Sequence, residues 1–319
     1  VSKAAFSLGT DLGWIYSPTA TRDRHSSKVA HNIELIQRIE LTLANNSNEN
    51  FQLSINNPYL ASALIMHLRE KNFLIETTIQ SKLIWFFREI ILFSKTVPII
   101  LRTAITWLSI IHSAKNYPVK NYKPSKRDTI IFSMFHNPPG HQTDAGISDT
   151  YFGELSKFLR SAGQEILTCG YVFSEPEKIS KLLANSSELK SSFGHHLSYI
   201  NIIQTIIKTI VALLSTFIIL KRKSSKNPLD KLIFGDLLTA ISIIYAAIII
   251  ETAAGKLLRK NPTNQIIIMH ENNPWELAVI RASRRVNPEV KIMGYIHCAI
   301  LKSHLKHITG SDQKSGRPY

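Results

Sequence analysis

Cysteine and acidic residues are scarce in this sequence of 319 residues, and the common glycine-rich phosphate-loop motifs are absent from it. Cys169 and Cys298 are the only cysteines, and they lack the spacing of metal ligands. Two such residues exclude a disulfide framework and fit a reducing compartment. The first 30 residues contain no apolar core of the length that a secretory signal needs. The Walker pattern and G-x-G-x-x-G are both missing, which excludes these two kinds of phosphate-binding loop.

The shortage of acidic residues gives the chain a strongly positive charge. Lys and Arg number 38 against 23 Asp and Glu, a formal net charge of +15. Such a balance favours nucleic acid, acidic lipid surfaces or phosphorylated substrates as partners. The basic residues are scattered, however, and no zinc finger, helix-turn-helix or RNP-type motif is present. The one dense basic and aromatic run, residues 115–127, is interpreted as a solvated linker, so no nucleic-acid partner is predicted.

Strand-like and helix-like segments alternate along much of the chain. A helix is predicted over 31–44 from the spacing of its isoleucines. Three strand–helix–strand units follow, and their predicted strands are 51–55 with 73–77, 128–135 with 165–173, and 265–270 with 290–296. Asn57 and Ser148 are the predicted N-caps of the first two connecting helices, and Gly163 ends the second. Such units predict an α/β fold, a Rossmann-like, doubly wound parallel sheet whose strand ends face the ligand.

Long apolar segments that the sheet does not require occupy residues 83–111, 199–220 and 232–250. Three interpretations remain open: buried or dimer-forming helices, helices lying on an anionic membrane surface, and a transmembrane hairpin around the basic run 221–226. The predicted organisation is an irregular segment over 1–30 and a Rossmann-like domain over 31–298. That domain carries helical insertions at about 80–115 and 195–259, and a disordered or truncated tail follows over 299–319.

The richest candidate site is "HENNPWELAVIRASRR", residues 270–285, where a predicted strand gives way to a helix. Glu271, Asn272 and Asn273 are expected at the ligand edge of the sheet, with Trp275 and Glu276 in the first helical turn. Glu271 is a candidate general base or hydroxyl ligand, and Trp275 a stacking platform for a sugar or base. The alternative is structural, with Glu276 as a first-turn charge and Trp275 as a core anchor.

Two further places add candidates. His297 ends the last predicted strand, where it is either a general base or phosphate ligand or a structural histidine. His297 and Glu271 end strands that one crossover joins, so we expect them to be neighbours. The loop 136–147 is long for a strand-to-helix connection, and it contributes His136 and Asn137 as substrate-binding candidates. Asp149 opens the helix after that loop, and no metal motif is found.

Two motifs carry a resemblance. "ENNPWELAVIRASR" followed by "KIMGYIH" resembles the E-N-x-P-W-E and G-Y-x-H pattern of bacterial surface-carbohydrate (O-antigen-type) biosynthesis proteins with a GT-B-like glycosyltransferase fold. "DTYFGELSKFL" resembles an earlier D-x-Y-F-G-x-L element of the same proteins. The resemblance covers roughly residues 50–298, and Ile296 departs from it, since a polar residue is expected there. The matching positions are Asp149, Tyr151, Phe152, Gly153, Glu271, Asn272, Pro274, Trp275, Glu276, Gly294, Tyr295 and His297.

The resemblance implies transfer of a sugar from a nucleotide-sugar donor to a glycan or lipid-linked acceptor, with no other cofactor and no metal. The resemblance assigns no catalytic residue. From their positions at strand ends, Glu271 and His297 are the catalytic candidates, and Asn272, Trp275, Glu276, Asp149 and Tyr151 are expected to bind substrate. The expected location is cytoplasmic, peripheral to the inner membrane. Donor binding in a GT-B enzyme needs a second Rossmann-like domain, so the chain is expected to be a fragment or to borrow that domain from a partner chain. The alternative is a non-catalytic membrane-surface binding or scaffolding module.

Overall fold

The computed structural model describes residues 29–46, 50–120, 122–135, 142–143, 146–147, 149, 151–222, 228–271 and 273–295. The chain divides into two compact units, Val1–Leu101 with Ile207–Tyr245, and Arg102–Ile206 with Ala246–Tyr319. The α-helices of the described residues are α1 (Val29–Asn45), α2 (Pro58–Glu70), α3 (Ile79–Asn116), α4 (Leu155–Ser161), α5 (Pro176–Ala184), α6 (Tyr199–Arg222), α7 (Pro228–Thr239), α8 (Ile241–Lys260) and α9 (Pro274–Val286). The domain bounds drawn from the sequence stay a prediction.

In its described residues, the first unit contains helices and the segments that connect them, but no strand. Its apolar cluster joins α1, α2 and α7 through Val29, Ile36, Ala63, Leu64, Leu68 and Leu232. Helix α2 begins where the sequence predicts it, because the Asn57 side chain accepts hydrogen bonds from the N–H groups of Tyr59 and Leu60, at 2.9 and 3.2 Å. The ring of Tyr59 meets that of Phe234 edge-on, at 5.5 Å between centroids.

The strands predicted at 51–55 and 73–77 are wrong. Residues 51–57 and 73–78 belong to no helix or strand. Their apolar side chains have another use, since Ile55, Phe73 and Ile75 pack against the helical cluster of α1, α2 and α7. Burial against helices selects the same residue types as burial within a sheet, so the βαβ unit predicted here does not form.

The second unit contains the parallel sheet. The strands are β1 (Arg127–Phe135), β2 (Gln142–Thr143), β3 (Gly146–Ile147), β4 (Ile166–Val172), β5 (Lys190–Ser192), β6 (Thr263–Met269) and β7 (Lys291–Tyr295). Five of them form one sheet in the order β5-β4-β1-β6-β7, with every neighbouring pair parallel, while β2 and β3 form a separate antiparallel pair. The α/β class and the other two predicted βαβ units are confirmed.

The sheet is buried at its centre, as a parallel sheet with covered faces must be. In β1, Ile130, Ile131, Phe132 and Ser133 have no exposed surface. Cys169 in β4 is equally buried, and its burial raises the pKa of the thiol to about 12. Strand β1 pairs with β4 on one side and β6 on the other, so that Phe132 lies level with Cys169 and Ile268.

Helix α8 is the one helix of the described residues that is long and apolar enough to cross a membrane, judged by length and composition alone. Its apolar window is 72% buried, as in the core helix of a globular protein. Its burial is therefore already accounted for by protein contacts.

Two glycines allow a matched test of packing. A Cβ on Gly170 in β4 would overlap the ring of Phe135 in the adjacent β1, whereas a Cβ on Gly255 in α8 would meet only the Arg259 guanidinium, at 3.7 Å. We therefore expect Gly170→Ala to lower the free energy of unfolding by about 1–3 kcal/mol. Gly255→Ala is expected to raise it by roughly 0.5–1 kcal/mol, because alanine favours the helix. Urea unfolding checks both values, and shifts of the same sign would contradict the packing described.

Candidate functional site

The carboxyl ends of the parallel strands lie along one edge of the sheet. From β1 the chain builds outward through β4 and β5 on one side, and later through β6 and β7 on the other. The order therefore reverses between β1 and β6, as in the Rossmann arrangement, and such a switch point leaves a crevice outside the strand ends. Residues that follow β1 and β6 are consequently the first candidates for contact with a ligand.

Two glutamates and an asparagine meet just after β6. The backbone N–H of Glu271 donates to the carboxyl of Glu276, with 2.9 Å between N and Oε2. The side-chain amide of Asn273 donates to both carboxyl groups, at 3.1 Å from Glu271 Oε2 and 3.1 Å from Glu276 Oε1. Asn273 therefore bridges the two carboxyl groups and fixes the geometry between them.

The turn into α9 explains this arrangement. Asn273 is the N-cap with extended backbone, and Pro274 occupies the first helical position, where a missing N–H costs nothing. The Asn273 side chain makes no capping bond to its own helix. Instead, Glu276 in the first turn reaches back to the backbone N–H groups of Asn273 and Glu271, which is the reciprocal half of a capping box.

Glu276 has no exposed surface, unlike the partly exposed Glu271. The pKa of Glu276 is raised from 4.5 to about 8, mainly by burial and to a smaller extent by the nearby charge of Glu271, against the lowering effect of the hydrogen bonds from Glu271 and Asn273. The two carboxyl groups thus differ in environment, and Glu271 is the one that a ligand can reach. Glu276 lies behind it as a support.

Asp149 organises the segment that follows β1. Its Oδ1 accepts hydrogen bonds from the Ser133 hydroxyl in β1 and from the N–H groups of Tyr151 and Phe152, each at 3.0 Å. Asp149 is buried. It therefore ties the start of the turn at Tyr151 to the central strand.

Tyr151 connects this segment electrostatically to the one after β6. Partial burial raises the pKa of its phenol, and the carboxylates of Glu271 and Asp149 raise it further. The phenol therefore stays protonated at neutral pH and is a hydrogen-bond donor in the crevice. We call Asp149, Tyr151, Glu271, Asn273 and Glu276 together the rim cluster.

The end of β7 closes the same region. The rings of Phe152 and Tyr295 are tilted against each other with 5.0 Å between centroids, and the His270 N–H donates to the Tyr295 carbonyl at 2.9 Å. A Cβ on Gly294 would lie 3.0 Å from the Cβ of His270. Glycine at 294 thus permits the close approach of β7 to the residue that precedes Glu271.

Trp275 is buried in the first turn of α9, with 7% of its surface exposed. This burial favours the core-anchor interpretation over a stacking platform. Its indole N–H is buried without a hydrogen-bond partner. An indole N–H is normally hydrogen-bonded when buried, so this donor carries a desolvation cost in the folded chain.

The structure therefore brings together five of the residues singled out in the sequence, namely Glu271, Glu276, Trp275, Asp149 and Tyr151. The candidates His136, Asn137, Asn272 and His297 lie outside the described residues, and their roles stay predictions. Ser133 and the bridging role of Asn273 were missed. A lone serine in the apolar run of β1 and an asparagine directly before a proline that opens a helix are the signals that point to them.

Neither a metal cluster nor the clearest cavity lies at the rim. The described residues hold no group of three or more His, Cys, Asp or Glu side chains placed to bind a metal ion. A cavity of about 320 Å³ is lined by Leu258, Thr263, Ser283 and Asn287 among others, at the amino end of β6. That is the sheet edge opposite to the rim cluster.

The chain matches no known family model, no curated protein and no solved structure. The chemistry of the rim cluster is therefore argued from its own geometry.

The raised pKa of Glu276 makes stability depend on pH. Because the folded-state pKa exceeds the ordinary value, folding takes up a proton between pH 4.5 and about 8, and stability falls as pH rises through that window. Glu276→Gln cannot titrate, so wild type is expected to lose stability relative to this variant, by at most about 1.4 kcal/mol per pH unit. Urea unfolding at pH 5 and pH 8 measures the difference. An equal gap at both pH values would contradict it, and Glu289→Gln, an exposed site after the same helix, is the control.

Asp149 provides a second stability test. Asp149→Ala leaves three donors without their acceptor, so the free energy of unfolding should fall by on the order of 2–3 kcal/mol. Asp149→Asn keeps Oδ1 as an acceptor and should lose about half as much. Urea unfolding of the two variants separates these values. Equal stability of Asp149→Ala and wild type would show that the bonds from Ser133, Tyr151 and Phe152 contribute nothing.

Proposed function

We propose that the rim cluster binds the hydroxyl groups of a sugar and that the chain acts in glycosyl transfer during synthesis of a bacterial surface polysaccharide of the O-antigen or capsule type. The observation that carries the proposal is the position of Glu271, bridged by Asn273, at the switch point between β1 and β6. Crevices at such switch points are the usual ligand sites of open α/β sheets. The motif resemblance around Glu271 supplies the reaction class.

The donors and acceptors at the rim suit a polyhydroxylated ligand. A carboxylate accepts hydrogen bonds from sugar hydroxyls, and a protonated phenol such as that of Tyr151 is a group that can donate to a sugar oxygen. The Asn273 amide holds the Glu271 carboxylate in one orientation. Fixed donors and acceptors of this kind recognise a ligand without a large cost in ordering side chains.

In the proposed reaction, the hydroxyl oxygen of the acceptor attacks the anomeric carbon of the donor sugar, and Glu271 takes the proton of that hydroxyl. The nucleoside diphosphate leaves with the electron pair of the broken glycosidic bond. Glu276 keeps Glu271 in place through the backbone N–H of Glu271, and it does not touch the substrate. In the GT-B arrangement a second Rossmann-like domain binds the donor nucleotide, and we propose that the rim cluster serves the opposite side of that cleft.

Ligand-observed saturation-transfer NMR tests the sugar site directly. The probes are methyl hexopyranosides, which mimic an acceptor, and UDP-, GDP- and dTDP-hexoses, which are donors. Saturation should appear on sugar ring protons with wild type. Glu271→Ala should weaken binding by roughly 10- to 100-fold, the value of a hydrogen bond to a charged group. Glu289→Ala, an exposed carboxylate after α9, should change nothing.

The result that would overturn the proposal is equally specific. Equal saturation with wild type and Glu271→Ala, or none with any probe, would remove the rim cluster as a sugar site. Unfolding of each variant in urea shows that the loss of signal does not come from loss of the fold.

A second candidate function is a non-catalytic binding or scaffolding module at a membrane surface. It is favoured by a separate observation, the large apolar side chains that α3 and α6 expose. Under this alternative, Glu271→Ala leaves vesicle binding unchanged and wild type binds none of the sugar probes. Measurements on wild type and Glu271→Ala therefore distinguish the two candidate functions.

A further inference from the structure

Helix α3 exposes a continuous apolar surface in its first half. The exposed large side chains are Leu83, Ile84, Phe86, Phe87, Ile90 and Ile91. With about 100° of rotation per residue, these six positions fall within roughly 160° of the helix circumference. They therefore form a single surface, which we call the α3 face.

Cations flank the α3 face on both sides. Lys82 lies at one margin of the face, and Lys95, nearly four turns further along, lies at the other, and both are exposed. Neither forms an ion pair with any described residue within 4.0 Å. Long lysine side chains in such positions keep their stems on apolar surface and place the ammonium group in a polar layer.

The exposed surface of α3 has no acidic side chain. Glu89 is the only acid in the 38 residues of this helix. It is half-buried, and its charge helps to raise the pKa of the buried Tyr59 phenol. Trp85 points inward, since its indole N–H lies 3.4 Å from the Ile55 carbonyl.

Helix α6 repeats the composition. Its 24 residues include Lys208, Lys221 and Arg222 and no acid. It exposes Ile200, Ile203, Ile207, Ile210, Val211 and Leu214, which fall on one side of the helix at about 100° of rotation per residue. Exposed apolar side chains therefore occur on two helices that contain a single acid between them, in a chain whose net charge is +15.

We propose that the α3 face inserts into the surface of an acidic lipid bilayer, with Lys82 and Lys95 at the level of the headgroups. Apolar residues flanked by cations are the pattern of helices that lie in the plane of a membrane. Anionic lipid headgroups supply the opposite charge that the exposed surface of α3 lacks. This inference is independent of the proposed sugar chemistry.

A second copy of the chain fits the α3 face less well. Two identical faces would bring exposed lysines toward each other with no exposed acid on α3 to compensate, and like charges oppose association. Burial of the apolar α3 face is favourable, and an acidic lipid surface can bury it without repulsion between lysines.

Vesicle sedimentation tests the proposal with the full chain. The probes are vesicles of phosphatidylcholine alone and of phosphatidylcholine with about 30% phosphatidylglycerol. Wild type should bind the acidic vesicles preferentially, and added salt should weaken binding because it screens the lysines. Phe87→Glu with Ile91→Glu should lower the partition coefficient at least about ten-fold, since two inserted side chains become charged.

The matched control carries the same change of charge elsewhere. Leu74→Glu with Phe158→Glu replaces two side chains that are 93% and 68% exposed and lie outside α3 and α6. Its partition coefficient should stay within about two-fold of wild type, the change expected from net charge alone. Circular dichroism confirms that both double variants are folded.

Three results would overturn the proposal. One is no binding of wild type to acidic vesicles, and another is equal binding by the α3-face variant and wild type. The third is a dimer in light scattering that Phe87→Glu with Ile91→Glu converts to a monomer, since a second copy would then cover the face. A change of sugar binding with unchanged vesicle binding bears on the rim cluster alone.

Discussion

A carboxyl group with no exposed surface must receive its hydrogen bonds from the protein, and Glu276 receives them from Glu271 and Asn273. The desolvation of that carboxyl costs several kcal/mol in the charged form, so the three residues are held in one arrangement. Pro274 fixes the turn on which this depends. The orientation of Glu271, just after β6, is therefore a consequence of burying its neighbour.

The same principle applies on the other side of the crevice. Asp149 is buried and receives three donors, one of them from Ser133 within β1. Two buried carboxyl groups thus fix the two segments that meet at the switch point. Their hydrogen-bond partners lie mostly in the backbone, which is rigid. The chain in this way places a partly exposed glutamate and a protonated tyrosine at the crevice without relying on mobile side chains.

Much of the sheet was predictable because its strands are short apolar runs followed by turn residues. Strands β1, β4, β6 and β7 and helix α9 begin and end within a few residues of their predicted bounds. The segments 51–55 and 73–77 show the same pattern, yet Ile55 and Phe73 pack against helices. The hydrophobic pattern of a short segment indicates that its side chains are buried, but not whether they pack against a helix or within a sheet.

At the candidate site, the start of the helix could be predicted from the sequence, but the burial of individual side chains could not. The proline and the acids after β6 indicated the start of a helix at a strand end, which the structure confirms. That Glu276 is buried while Glu271 is partly exposed depends on tertiary packing around α9. The bond from Ser133 to Asp149 joins residues that are 16 positions apart in the chain. Neither follows from spacing along the chain.

The burial of Cys169 has a consequence for solution chemistry. A thiol whose pKa is about 12 is ionised in only roughly one molecule in 10⁵ at pH 7, and its position in β4 keeps reagents out. Alkylation of this sulfur must then wait for the central strands to separate. The rate of alkylation at Cys169 therefore measures how often the sheet opens, that is, the rate of local unfolding in this unit.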